Sequence, residues 1–175
     1  MLLCLLTACG GKEPDAMQAA LDFRAALLEK GGCAFTAQIT ADAQDRVWQY
    51  TLRCEASYDG TARLELLAPE AIAGLTAEID GADGKLRFDG AYVDFGLTAD
   101  GEPSPVAAPQ TVFSCWTEQY IASAGDGCVS YERGLGAKKL DVKTWFAEGV
   151  PVKAELSRDG RLLMTLEITD FSYNG

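Results

Sequence analysis

The sequence predicts an α+β fold built on antiparallel strands, and three observations predict it. Apolar residues recur at every second position in a series of short stretches from Cys33 onward, the spacing of half-buried strands. Those stretches are separated by Gly-containing turns such as Asp89-Gly90 and Asp159-Gly160, which join neighbouring strands antiparallel. Two stretches with helical spacing precede and interrupt the series. At 175 residues, with no low-complexity linker, residues 15–175 form one domain behind a tether (10–14) and an N-terminal signal remnant (1–9).

The first helix opens at Pro14 and Asp15, with proline at the start and an acid in the first turn. Met17, Leu21, Arg24 and Leu28 share one face with Ala20 and Ala25, and Gly31-Gly32 supplies a left-handed cap. A hairpin follows from Cys33 to Cys54. Folded about Ala41–Arg46, it sets Cys33 opposite Cys54, Phe35 opposite Leu52, Ala37 opposite Tyr50 and Ile39 opposite Trp48. All eight share one face of the pleat, and a one-residue slip would scatter them.

Ala62, Leu64 and Leu66 alternate with polar residues up to a break at Pro69-Glu70. Leu75, Ala77 and Ile79 make the next strand, Leu86 and Phe88 another, and Val93 and Phe95 complete the run. Thr98 to Pro109 holds three prolines and reads as an irregular loop. Pro109 begins a second helix running to about Ser123, on which Phe113, Trp116 and Tyr120 form an aromatic face. That face suits core packing, or a lid over an apolar groove. Strands over 128–133 and 138–146, then a hairpin about Asp159-Gly160, close the chain.

The formal net charge is −11, which repels nucleic-acid phosphates and anionic lipid headgroups alike. Nucleic acid is therefore not an expected partner. Histidine is absent, which removes the Ser-His-Asp triad, the Cys-His pair and His-ligated zinc. No Cys-x-x-Cys pair occurs, no carboxylate pair is marked out for glycosidic chemistry, and no Gly-rich turn has a phosphate loop's spacing. No catalytic residue, metal or cofactor is expected, and the protein is not an enzyme on this reading.

Leu2 to Leu6 is a short apolar run, and Leu6-Thr7-Ala8-Cys9 resembles the bacterial lipobox. That resemblance implies cleavage before Cys9 and lipidation of its sulfur, placing the protein outside the cytoplasm on a membrane anchor. Only eight residues precede Cys9, none of them basic, so the true start is expected upstream.

The order of elements is similar to the bacterial lipoprotein-carrier fold, shared by the Lol-system carrier and receptor and by mycobacterial lipid-binding lipoproteins. Leu67 to Leu75, Val150 to Leu156 with Asp159-Gly160, and Thr169-Asp170-Phe171 resemble its motifs. More narrowly, the chain resembles lipoproteins related to the clostridial germination lipoprotein. The resemblance implies a strongly curved antiparallel sheet, an unclosed half-barrel, with both helices covering the concave face. It also implies a partner: acyl chains of a lipid or lipoprotein in the concavity, or an envelope protein such as a cell-wall hydrolase. A monomer is expected.

The candidate cleft comprises Phe35, Ile39, Trp48, Tyr50, Leu52, Leu64, Leu66, Phe113, Trp116 and Tyr120, with Leu75, Ile79, Phe88 and Phe95 extending the strand surface. A closed core would use the same residues. In an exported chain an even number of cysteines favours disulfides. The hairpin register predicts Cys33–Cys54, contributing on the order of 3 kcal/mol, and elimination leaves Cys115–Cys128.

Overall fold

A computed structural model describes residues 15–42, 46–80, 83–88, 91–96, 98–99 and 102–175. Cys9, the tether and the Asp89-Gly90 turn lie outside the described residues. The chain begins with α1 (Ala16–Lys30), then β1 (Gly32–Asp42), β2 (Val47–Ser57), β3 (Thr61–Ala68), β4 (Thr76–Asp80), β5 (Asp83–Phe88) and β6 (Ala91–Gly96). A small hairpin, β7 (Thr98–Ala99) and β8 (Glu102–Pro103), leads into α2 (Ala108–Glu118). It continues as β9 (Ile121–Gly125), β10 (Cys128–Arg133), β11 (Leu140–Ala147), β12 (Val150–Arg158) and β13 (Arg161–Tyr173).

Eleven strands form one antiparallel sheet in the order β6-β5-β4-β3-β2-β1-β13-β12-β11-β10-β9. The edge strands β6 and β9 do not pair, so the barrel is unclosed. Helix α2 touches both β2 and β10, which lie five strand spacings apart in that order. A flat sheet would hold them about 24 Å apart, so the sheet must curl around the helix. Helix α1 packs on α2, β1, β9, β10 and β11. Both helices therefore lie on the concave side, as the resemblance implies.

Asp15 caps α1 by accepting a hydrogen bond from the Met17 amide at 3.1 Å. Gly31 ends it in the left-handed region at φ 75°. Gly32 is constrained in another way: a Cβ there would collide with the carbonyl oxygen of Ala56 and come within 2.5 Å of the Asn174 amide.

The buried face of α1 is Ala20, Phe23 and Leu27, not the predicted row of Met17, Leu21, Arg24 and Leu28. Leu21 and Leu28 are exposed. The helix carries apolar residues around most of its girth, so spacing alone did not single out the face that carries Phe23. Helix α2 ends at Glu118, because Gln119 is extended at φ −90° and ψ 149°. The residues after Tyr120 form β9 and pair with β10 through the Gly125–Cys128 turn, where a longer helix was predicted.

The hairpin of β1 and β2 keeps the predicted faces in a different register. Cys33 stands opposite Ala56, Phe35 opposite Cys54, Ala37 opposite Leu52, Ile39 opposite Tyr50 and Ala41 opposite Trp48. The pairing is displaced by two residues, which preserves which side chains point inward.

Candidate functional site

The concave face is built from every second residue of the central strands. Phe35 and Ile39 on β1, Leu52 and Cys54 on β2, Leu64 and Leu66 on β3 and Ile79 on β4 point inward and are buried. Val112, Phe113, Cys115 and Trp116 of α2 are buried against them in one contiguous apolar cluster. Phe35, Ile39, Leu52, Leu64, Leu66, Phe113 and Trp116 thus converge under the helices. Phe88 and Phe95 fall among residues whose side chains lie outside the description.

Three predicted cleft residues stand elsewhere. Tyr50 is half-buried at the margin of the cluster, and Trp48, nearer the hairpin tip, is 46% exposed. Tyr120 is 91% exposed, because the chain leaves the helix before reaching it. Ile39 and Tyr50 also border an open cavity of about 400 Å³, together with Gln38, Thr40, Gln49, Thr51, Ala68 and Pro69.

Sequence spacing missed an aromatic cluster at the heart of the site. The Phe23 ring meets Trp116 edge-on at 5.3 Å, Phe146 at 5.3 Å and Phe171 at 5.7 Å between centroids. Trp116 also lies 5.7 Å from Phe35, and Phe171 lies 5.1 Å from Tyr173. Such pairs add about 0.5–1.5 kcal/mol each beyond area burial. Ala20, Phe23 and Leu27 do share i, i+3, i+7 spacing, but Met17, Leu21 and Leu28 offer a competing apolar row.

Polar attachments hold α2 over this surface. The Trp116 indole N–H donates to the Thr144 hydroxyl at 3.0 Å. Arg24 reaches from α1 and donates to the carbonyls of Trp116 and Gln119, each at 2.5 Å, and of Cys115 at 3.2 Å. Its guanidinium thereby gives the Trp116 and Gln119 carbonyls a donor at the C-terminal end of α2 and adds a second to the Cys115 carbonyl, which already accepts from the Gln119 amide. It also lies 5.9 Å from the centre of the Tyr131 ring.

The four cysteines among the described residues are free, which corrects both predicted disulfides. The observed register sets Cys33 across from Ala56 and Cys54 across from Phe35, so the two thiols are not directly paired. Cys128 sits at the start of β10, its thiol donating to the Gly125 carbonyl at 3.3 Å. Cys115 lies by Tyr131 and Arg133 at the far end of that strand. Burial pushes the Cys33 and Cys115 thiols up to about 12 and raises Cys54 well above its usual 9.0. These are apolar packing groups rather than nucleophiles.

No helix among the described residues is long and apolar enough to cross a membrane. No protein-family model matches the chain, and no curated protein does. Solved structures do match. A LolA superfamily protein from Nitrosomonas europaea is 12% identical, with 93% of this chain and 95% of that one covered and a TM-score of 0.49. LprF from Mycobacterium bovis is 13% identical, with 93% and 95% covered and a TM-score of 0.43. An outer membrane lipoprotein-sorting protein domain from Vibrio parahaemolyticus is 12% identical, with 90% and 92% covered and a TM-score of 0.50. At that identity the likeness is one of fold, and the chain has the Lol-carrier-like fold that its order of elements resembles.

Proposed function

We propose that this protein is an extracytoplasmic lipoprotein, held to a membrane by a lipid on Cys9, whose concave face takes the acyl chains of a lipid or of another lipoprotein. It acts as a monomer and without catalysis. The observation that carries the reading is the continuous apolar surface from Phe35 to Leu66, roofed by a helix that polar contacts attach to its neighbours. Lifting α2 offers that surface to a ligand, and each methylene buried there contributes about 0.8 kcal/mol. An acyl chain replaces the packing that α2 gives up, so binding needs no charged group in the concavity.

Protein purified without detergent should yield an acyl lipid on solvent extraction and mass spectrometry, or bind monoolein after delipidation. Neither lipid nor monoolein binding would refute the reading. Mass analysis of the native protein should show acylated Cys9, and a free thiol there would remove the anchor.

A second reading is favoured by the edge strand β9. Ala122, Ser123, Ala124 and Gly125 are exposed, uncharged and free of proline, so nothing blunts that edge. An extended segment of an envelope protein, such as a cell-wall hydrolase, would add there as a further strand. A lysine at Ser123 should abolish such pairing and leave monoolein binding unchanged.

A further inference from the structure

Gln110 and Ser114 lie one turn apart on α2, only 8% and 4% exposed. The Gln110 amide N–H donates to the Gly60 carbonyl at 3.3 Å, but its side-chain oxygen is buried without a partner. Ser114 donates to the Thr111 carbonyl at 2.9 Å and accepts from the Arg133 guanidinium. Arg133 is half-buried, and among the described residues no carboxylate pairs with it, in a chain of net charge −11. Arg24 is the contrasting case, since its guanidinium is engaged by three carbonyls of the α2 end.

The position of this cluster is informative. Gly60 lies in the turn between β2 and β3, and Arg133 is the last residue of β10. The ladder sets these two strand ends at opposite ends of the sheet, and α2 bridges them; with Arg133 half-buried, the cluster borders solvent where the apolar interior ends. Leu135, two residues beyond Arg133, is 89% exposed there.

The chemistry asks for two complementary groups. A guanidinium with spare N–H donors suits a phosphate, and a buried amide oxygen requires a donor such as a hydroxyl. Residues four apart on a helix are neighbours, so one small headgroup reaches both. We infer that Arg133, Ser114 and Gln110 receive a hydroxylated phosphodiester headgroup of the glycerophosphate type, borne by the amphiphile whose chains occupy the concave face. This rests on the acyl-binding reading above and adds the headgroup to it.

Two probes separate the two ideas: lysophosphatidylglycerol, which carries phosphate and hydroxyls, and monoolein, which carries hydroxyls alone. The delipidated protein should bind the first about tenfold more tightly, a preference that shrinks in about 0.5 M salt. Arg133→Gln should remove the preference and leave monoolein affinity within about twofold, whereas Arg133→Lys should keep part of it. Gln110→Leu should weaken both probes severalfold. Should Arg133→Gln not fold, Arg133→Lys and the salt titration decide. Equal binding of the two probes by the wild type, or a preference untouched by salt and by Arg133→Gln, overturns the headgroup site while acyl binding stands. Failure of both probes overturns both.

Discussion

Trp116 donates its indole N–H to the hydroxyl of Thr144 at 3.0 Å, and both side chains are wholly buried. This bond ties α2 to β11 in the interior of the half-barrel. Thr144→Val keeps the shape and strands the indole donor, so it should lower stability by about 1–3 kcal/mol in urea unfolding. Adding Trp116→Phe should then cost less than it does in the wild type, because the donor has already lost its partner. Strict additivity of the two changes would mean the bond does not hold the roof.

Arg24 makes a second attachment. Its replacement by Met keeps the stem and deletes three bonds to the end of α2, which should destabilise the protein by about 2 kcal/mol. Lysine should rescue little, since a point charge does not reproduce the fork. Hydrogen exchange should speed up at the Gln119 amide, which bonds the Cys115 carbonyl at 3.3 Å, and stay unchanged along β1.

Burial separates the predicted cleft residues by energy. Phe35→Ala empties a site that is 1% exposed and should cost about 3–5 kcal/mol. Tyr120→Ala, at 91% exposure, should fall within about 0.5 kcal/mol of the wild type. Thermal unfolding reads both, and equal effects would contradict the placement of Tyr120 outside the core.

The buried thiols set the behaviour in alkali. The folded protein holds Cys33 and Cys115 protonated up to about pH 12, against a usual value of 9.0, and burial likewise carries the Tyr131 phenol from 10.0 to about 12. Below pH 9 folded and unfolded chains both keep these protons, so the contribution is complete there. Above it the unfolded chain loses protons that the folded one retains, and stability should fall steadily toward pH 12. Denaturant midpoints across that range check the slope. Non-reducing peptide mapping should recover the thiols of Cys33, Cys54, Cys115 and Cys128 unlinked.

Faces were more legible in the sequence than partners. In the β1–β2 hairpin the alternation placed Phe35, Ile39 and Leu52 inward correctly, yet the pairing was off by two residues. A period-two pattern is unchanged by a two-residue slip, so it carries no information on which of those registers the turn selects. The disulfide expectation fell with that register. In α1, Leu21 and Leu28 competed with Phe23 and Leu27 for the buried face, and only the position of α2 settles the choice. Arg24 stood in the predicted row as its one charged member. Its use, satisfying carbonyls of a helix far along the chain, has no local signal. Trp116 was found by spacing, whereas Thr144 and Arg133 acquire their roles from strand ladders that unite distant segments.

The sheet order has a consequence for how the molecule comes into being. Strand β1 pairs on one side with β2, its immediate successor, and on the other with β13, the strand farthest from it along the described chain. Ala34 therefore waits for Ser172 before its second neighbour exists. A chain emerging from its N-terminus can zip β1 to β6 as one half and β9 to β12 as another, but the seam through the centre closes only when β13 arrives. Such distant pairing is slow relative to local hairpins. Until then the β1 edge that β13 will cover stays unpaired, and the newborn protein resembles a hand that has not yet closed on anything.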